Sequence, residues 1–199
     1  PCIPVNCKPT QIAYAIHLDQ PVHRQLNLLA KLLPDKQSIG ILKASFSNTQ
    51  ATKLESQIIK QGGKYYSEFI DNESQLHSKL KKLLEKTDVF IALPDPLIHN
   101  RRTIPHLLLM TYRYGAPLIG FSKSYVNAGA IAAVYSSPEQ ISKQIAELMI
   151  RILSENPPKP DIYPSKYFEI AINQSVARSF GLNFPNEKSI KNELLKLEQ

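Results

Sequence analysis

The chain has 199 residues, 43% of them apolar, which is enough for one large domain or two small lobes and too many for global disorder. Its net charge is +7, but the cations are scattered: Lys79, Lys81 and Lys82 share a helical face with Glu85 nearby. With no basic–aromatic interleaving and no docking motif, no nucleic-acid partner is expected. There is no run of about 18 apolar residues, so no helical membrane span is expected.

No leader segment is visible, and the chain begins at Pro1 rather than Met, as a processed or truncated product would. Residues 1–11 are Pro-rich and irregular. They carry both cysteines, Cys2 and Cys7, which either close a small disulfide loop or remain free thiols. No histidine cluster accompanies them, so no metal site is expected there.

Residues 12–18 read as a strand that stops at Asp19-Gln20-Pro21. A helix follows in which Val22, Leu26, Leu29, Ala30 and Leu33 share a face, and Pro34 ends it. Residues 38–44 (SIGILKA) read as a buried strand. The polar stretch Ser45-Phe46-Ser47-Asn48 leads into a helix to about residue 61, which Gly62-Gly63 stops. A strand over 64–70 comes next, then a helix capped by Asp71 or Asn72 with Leu76, Leu80, Leu83 and Leu84 inward. A third such strand, 88–93, runs into Pro94-Asp95-Pro96 and a polar segment. A helix over 103–114, a strand over 117–121 and another over 129–135 follow. Residues 138–153 form an amphipathic helix started by Pro138 and Glu139. Residues 156–164 (NPPKPDIYP) read as a linker and 167–172 as a half-solvated strand. A short helix over 175–180 is closed by Gly181, and a charged helix over 187–197 ends the chain.

Strand and helix thus alternate with short turns, which predicts an α/β fold: a parallel sheet flanked by helices on both faces. Right-handed crossovers then place every strand's carboxyl end on one edge. The polar loops 45–48, 94–100 and 122–127 fall on that edge and together suggest a ligand site.

The chemistry of those loops favours binding over turnover. The chain contains no GxGxxG, GxxxxGK[ST], GxSxG or HExxH, and none of its five histidines forms a metal-spaced pair on a helix. Asp95, stiffened by two prolines, either accepts from a ligand amine or hydroxyl or caps the next helix. Arg101 and Arg102 either pair with a ligand carboxylate or face outward. His99 is a contact or an exposed loop histidine. Phe121, Ser122 and Tyr125 offer an aromatic wall and a hydroxyl, against a packing role for Tyr125. Ser45, Ser47 and Asn48 stand at the amino end of a helix, suited to a carboxylate or to simple capping.

Several segments, in order, carry a family resemblance. They are Asp19-Gln20-Pro21 with Gln25-Leu26-Asn27-Leu28, Ser38-Ile39-Gly40-Ile41-Leu42, Ala92-Leu93-Pro94-Asp95-Pro96 and Asn100-Arg101-Arg102-Thr103-Ile104. Pro117-Leu118-Ile119-Gly120-Phe121-Ser122, Gly129-Ala130-Ile131-Ala132-Ala133-Val134-Tyr135-Ser136, Ala171-Ile172-Asn173 and Val176-Ala177-Arg178-Ser179 continue it. Over residues 12–182 the chain resembles the substrate-binding proteins of ABC transporters with the type I periplasmic-binding-protein fold, in the branch related to tryptophan/tyrosine-type binding proteins.

The resemblance implies a periplasmic or extracytoplasmic solute-binding component with no enzymatic activity and no cofactor. It would deliver a small molecule such as an aromatic amino acid to an ABC permease. The ligand contacts it implies are Asp19, Ser45, Ser47, Asn48, Asp95, Asn100, Phe121, Ser122 and Tyr125. Within that set, Ser45, Ser47 and Asn48 would hold a carboxylate, Asp95 an amine, and Phe121 with Tyr125 would give apolar or stacking contact.

Such proteins have two α/β lobes joined by hinge strands, and the resemblance implies that most of the first lobe is missing here. Residues 1–18 would be its remnant, 19–128 the second lobe, 129–155 a strand and helix returning to the first lobe, and 156–199 a linker, strand and helices packed on the second. The apolar face of 141–152 would then be exposed and favour self-association. Two other classes fit the same architecture: a ligand-sensing module of a regulator or receptor, and a small α/β enzyme.

Overall fold

The computed structural model describes residues 14–198. Cys2, Cys7 and the first residues of the expected strand over 12–18 lie outside the described residues. The elements in order are β1 (Ala15–Ile16), α1 (Val22–Leu32), β2 (Ser38–Lys43), α2 (Asn48–Lys60), β3 (Lys64–Phe69), a 3-10 turn (Glu73–Gln75), α3 (Leu76–Leu84) and β4 (Val89–Ile91). They continue with α4 (Ile104–Arg113), β5 (Leu118–Gly120), α5 (Lys123–Ala128), β6 (Ala132–Tyr135), α6 (Pro138–Ile152), β7 (Ile162–Tyr163), β8 (Glu169–Ile172), α7 (Gln174–Ser179) and α8 (Glu187–Lys196).

Six strands form one sheet in the order β3-β2-β4-β5-β6-β8, parallel throughout except for β8, which runs antiparallel to β6. Burial on both faces explains the continuous apolar strands. Ile39, Ile41, Val89 and Ile91 point to one core with α1, α2 and α8. Leu42, Phe90, Ala92 and Leu118 point to a second core with α3, α4 and α5. Gly40 permits close approach at the start of β4: a Cβ there would stand 2.7 Å from the Thr87 side chain.

The expected helix–strand alternation is present, with four local differences. Residues 122–127, expected as a loop, hold α5, started by Ser122, whose Oγ accepts from the Tyr125 N–H, and ended at Gly129 with φ 132°. The expected linker contains β7, which pairs parallel with β1 outside the main sheet. The helix expected from residue 71 begins with the 3-10 turn. Finally, the strand expected over 129–135 as a return to a first lobe is β6, inside the six-stranded sheet. Ala132, Ala133 and Val134 are fully buried, so both faces need cover, and the strand lies between β5 and β8.

The helix after β6 behaves differently. α6 starts with a reciprocal capping box between Ser137 and Gln140, and Gln144 bonds the Pro164 carbonyl and the Lys166 N–H. Its outer face exposes Ile145, Met149, Ile150 (71%) and Leu153 (84%). Three chain segments meet beside it and are tied by polar contacts. Gln20 donates to Ser136 Oγ, Ser136 donates to the Tyr167 carbonyl, and Ser165 donates to the His17 carbonyl. Buried Arg24 fastens the bundle through Gln20, the Ser165 carbonyl and Glu198.

The sheet's outer strands are shielded by charge. On β3, Glu68 binds both Lys79 and Lys82 of α3, and on β8, Glu169 binds Lys191 of α8. No helix among the described residues is long and apolar enough to cross a membrane.

Candidate functional site

The strand order reverses direction between β2 and β4, where open α/β sheets place a ligand crevice beyond the strands' carboxyl ends. The loops after these two strands do meet, but through their own side chains. Asp95 is 3% exposed and Ser47 1%. One Asp95 oxygen accepts from the Ser47 N–H at 3.0 Å and the Ser47 hydroxyl at 2.8 Å, and the other from the Leu97 N–H at 3.0 Å.

A carboxylate from a neighbouring loop therefore occupies the positive amino end of α2. Ser47 and Asp95, expected as contacts for a ligand carboxylate and amine, are bonded to each other here and shut from solvent. Ser45 and Asn48, beside them, remain exposed.

Asn100 is likewise used locally. Its carbonyl oxygen accepts from the N–H groups of Arg102 and Thr103 and its amide donates to the carbonyls of Pro96 and Leu97, so it shapes its own loop. Arg101 is exposed, and Arg102 turns outward to Glu73.

Phe121, Tyr125 and His99 form an aromatic cluster with ring centroids 5.3 to 5.5 Å apart. His99 Nδ1 and the Tyr125 hydroxyl are 3.0 Å apart. Burial depresses the His99 pKa to about 3 and raises that of Tyr125, so both stay neutral at pH 7. Ser122 caps α5, and Tyr125 packs inside rather than standing open to a ligand.

Asp19 lies elsewhere on the same edge, in a cavity of about 350 Å³ between the amino ends of α1 and α2. Residues 17–23 form one wall. Phe46 and a face of α2 bearing Thr49, Lys53 and Gln57 form the other, and Pro164 closes the end. Burial raises the Asp19 pKa above the ordinary aspartate value, with the charge of His17 pulling it back. Gln57 Oε1 is buried with no hydrogen-bond partner among the described residues.

The cavity thus combines the Asp19 carboxyl, the Lys53 ammonium group, several amide and hydroxyl groups and an apolar rim of Phe46, Pro21 and Val22, within the size range of small-molecule sites. The sequence singles out Asp19 but not the α2 wall. The available signal was the polar spacing Thr49–Lys53–Gln57, one residue per turn on one helix face. No group of three or more His, Cys, Asp or Glu side chains among the described residues could hold a metal.

Comparison with known proteins sharpens this picture. A conserved domain protein from Vibrio cholerae has a TM-score of 0.72 at 23% identity, over 92% of this chain and 64% of its own. An ABC domain from Streptococcus pneumoniae, solved in complex with L-Trp, gives 0.70 at 19%, over 90% and 62%. A substrate-binding protein with adhesive properties from Clostridium difficile, in a ligand-free open form, gives 0.70 at 20%, over 86% and 63%. The chain therefore spans less than two thirds of the length of these structures, and at such identities they show the fold. No curated protein matches the sequence. The family model of the ABC transporter substrate binding proteins matches residues 9–193. With nearly its whole length matched, this chain belongs to the ABC transporter substrate binding protein family.

Proposed function

We propose that the chain supplies one wall of the solute cleft of an ABC-type uptake system. The solute is a small zwitterion such as an amino acid, held at the cavity between α1 and α2. The observation that carries this is the chemistry collected there: the Asp19 carboxyl accepts from an ammonium group, and Lys53 faces a carboxylate. Phe46 and Val22 take an apolar side chain. The L-Trp complex of the Streptococcus pneumoniae neighbour supports an amino acid of this kind.

The second wall belongs to another α/β lobe. The exposed apolar face of α6, together with the β1–β7 pair outside the main sheet, supports a packing surface for that lobe. Closure of the two lobes on solute would precede docking on a membrane permease on the extracytoplasmic side.

A thermal-shift panel of amino acids tests the reading. A solute at about 100 times its Kd stabilises by about 2.7 kcal/mol, which for a domain of this size raises Tm by about 5–11 °C. Asp19→Asn should abolish the shift given by amino acids, and amine-blocked analogues should give none with the unmodified protein. A panel in which no amino acid moves Tm, or in which Asp19→Asn leaves the shift intact, overturns it.

A further inference from the structure

The amino ends of α3 and α4 lie side by side on the far side of the sheet from the cavity, and each carries a histidine in its first turn. His77 Nδ1 and His106 Nε2 stand 3.0 Å apart, with the ring centroids at 5.1 Å and the planes tilted by 37°. His77 is exposed and His106 half-buried. One helical turn back on each segment, Glu73 and Arg102 form their own ion pair at 2.8 Å, which leaves the two imidazoles facing each other.

We propose that His77 and His106 form a two-imidazole site for a divalent transition-metal ion, with water completing the coordination. The site is independent of the solute cavity. Two nitrogens each about 2.1 Å from one ion stand about 3.0 Å apart at a right angle and about 3.4 Å apart at the tetrahedral angle. The observed separation is that of the hydrogen-bonded pair, and a small rotation of the two rings brings both nitrogens within this span, so one ion can bridge them.

Without an ion, one imidazole donates its N–H to the other. When an ion enters, that proton moves to the outer nitrogen of its own ring, and both facing nitrogens present lone pairs. The neutral pair then binds the ion with no net release of a proton.

The experiment titrates the chain, its thiols alkylated beforehand, with Cu²⁺, Ni²⁺ and Zn²⁺ chlorides. Calorimetry gives affinity, and the imidazole proton signals of all five histidines report position by paramagnetic broadening. The signals of His77 and His106 should broaden first. Because losing a direct ligand costs at least as much as losing a supporting one, His77→Gln and His106→Gln should each weaken Ni²⁺ binding by more than about tenfold. Tm should stay unchanged. Broadening that starts at His17, His23 or His99, or a double variant that binds Ni²⁺ as tightly as the original chain, overturns the site.

Discussion

Asp95→Ala tests whether the Pro-Asp-Pro loop is a structural tie. The substitution removes three hydrogen bonds, at 2.8, 3.0 and 3.0 Å, from a side chain only 3% exposed. Two backbone N–H groups, of Ser47 and Leu97, lose their carboxylate partner. At about 1–3 kcal/mol per buried donor left unsatisfied, with some relief from entering water, the cost is about 3 kcal/mol. For a domain near 200 residues that lowers Tm by about 6–12 °C, and with a urea m-value of about 2.5 kcal/mol/M it moves the midpoint down by about 1.2 M. Asp95→Asn keeps one acceptor oxygen and should cost about half as much. Paired urea melts of the three proteins, followed by circular dichroism, give the comparison. If Asp95→Ala melts within 2 °C of the original chain, the carboxylate does not hold the two loops together and the tie is refuted.

Three further outcomes follow from the same geometry. Gly40→Ala drives a methyl group against the buried Thr87 side chain, 2.7 Å away, and should cost about 1–3 kcal/mol by chemical denaturation. Ile150→Lys and Leu153→Lys, at positions 71% and 84% exposed, should change stability by less than about 0.5 kcal/mol; a larger loss would mean that the face of α6 is covered within this chain. Burial works to raise the Glu198 pKa, but the hydrogen bond and charge of Arg24, with His23, outweigh it and hold the group below its ordinary value of 4.5. A depressed carboxylate pKa contributes stability that is full above the unfolded value and is lost as pH falls through the folded one. The original chain should therefore lose stability below about pH 4.5 more steeply than Arg24→Ala does, as read by melts between pH 6 and 3.

The parallel strands were legible because burial on both faces writes itself as an unbroken apolar run: Val89-Phe90-Ile91 and Leu118-Ile119 have no polar alternate. The helices showed through their apolar spacing and their Pro and Gly stops. α5 did not, since six residues make too few turns for a period to emerge, and its start depends on one Ser122 hydrogen bond. β7 is two residues long and pairs only with β1, about 147 positions away, as Ile162 does with Ala15.

The site was legible as an edge and illegible as a set of contacts. Chain order places loops 45–48 and 94–100 on the same side. Only the folded geometry shows that Asp95 turns into Ser47, 48 positions away, and so caps α2. The polar face of α2 drew no reading as a cavity wall for an equally plain reason: Thr49, Lys53 and Gln57 look the same in sequence whether water or a cavity lies opposite.

The charged clasps on the outer strands bear on how the protein behaves at high concentration. A bare edge strand offers its free N–H and C=O groups to any passing chain and seeds fibrous aggregates. Here the two lysines gripping Glu68 put two positive charges above the β3 edge, and Lys191 reaches over β8 to Glu169. Strand-on-strand growth would strip water from those ion pairs at both ends of the sheet. Concentrated solutions should therefore remain free of amyloid-dye binding, even where light scattering reports association through helical faces.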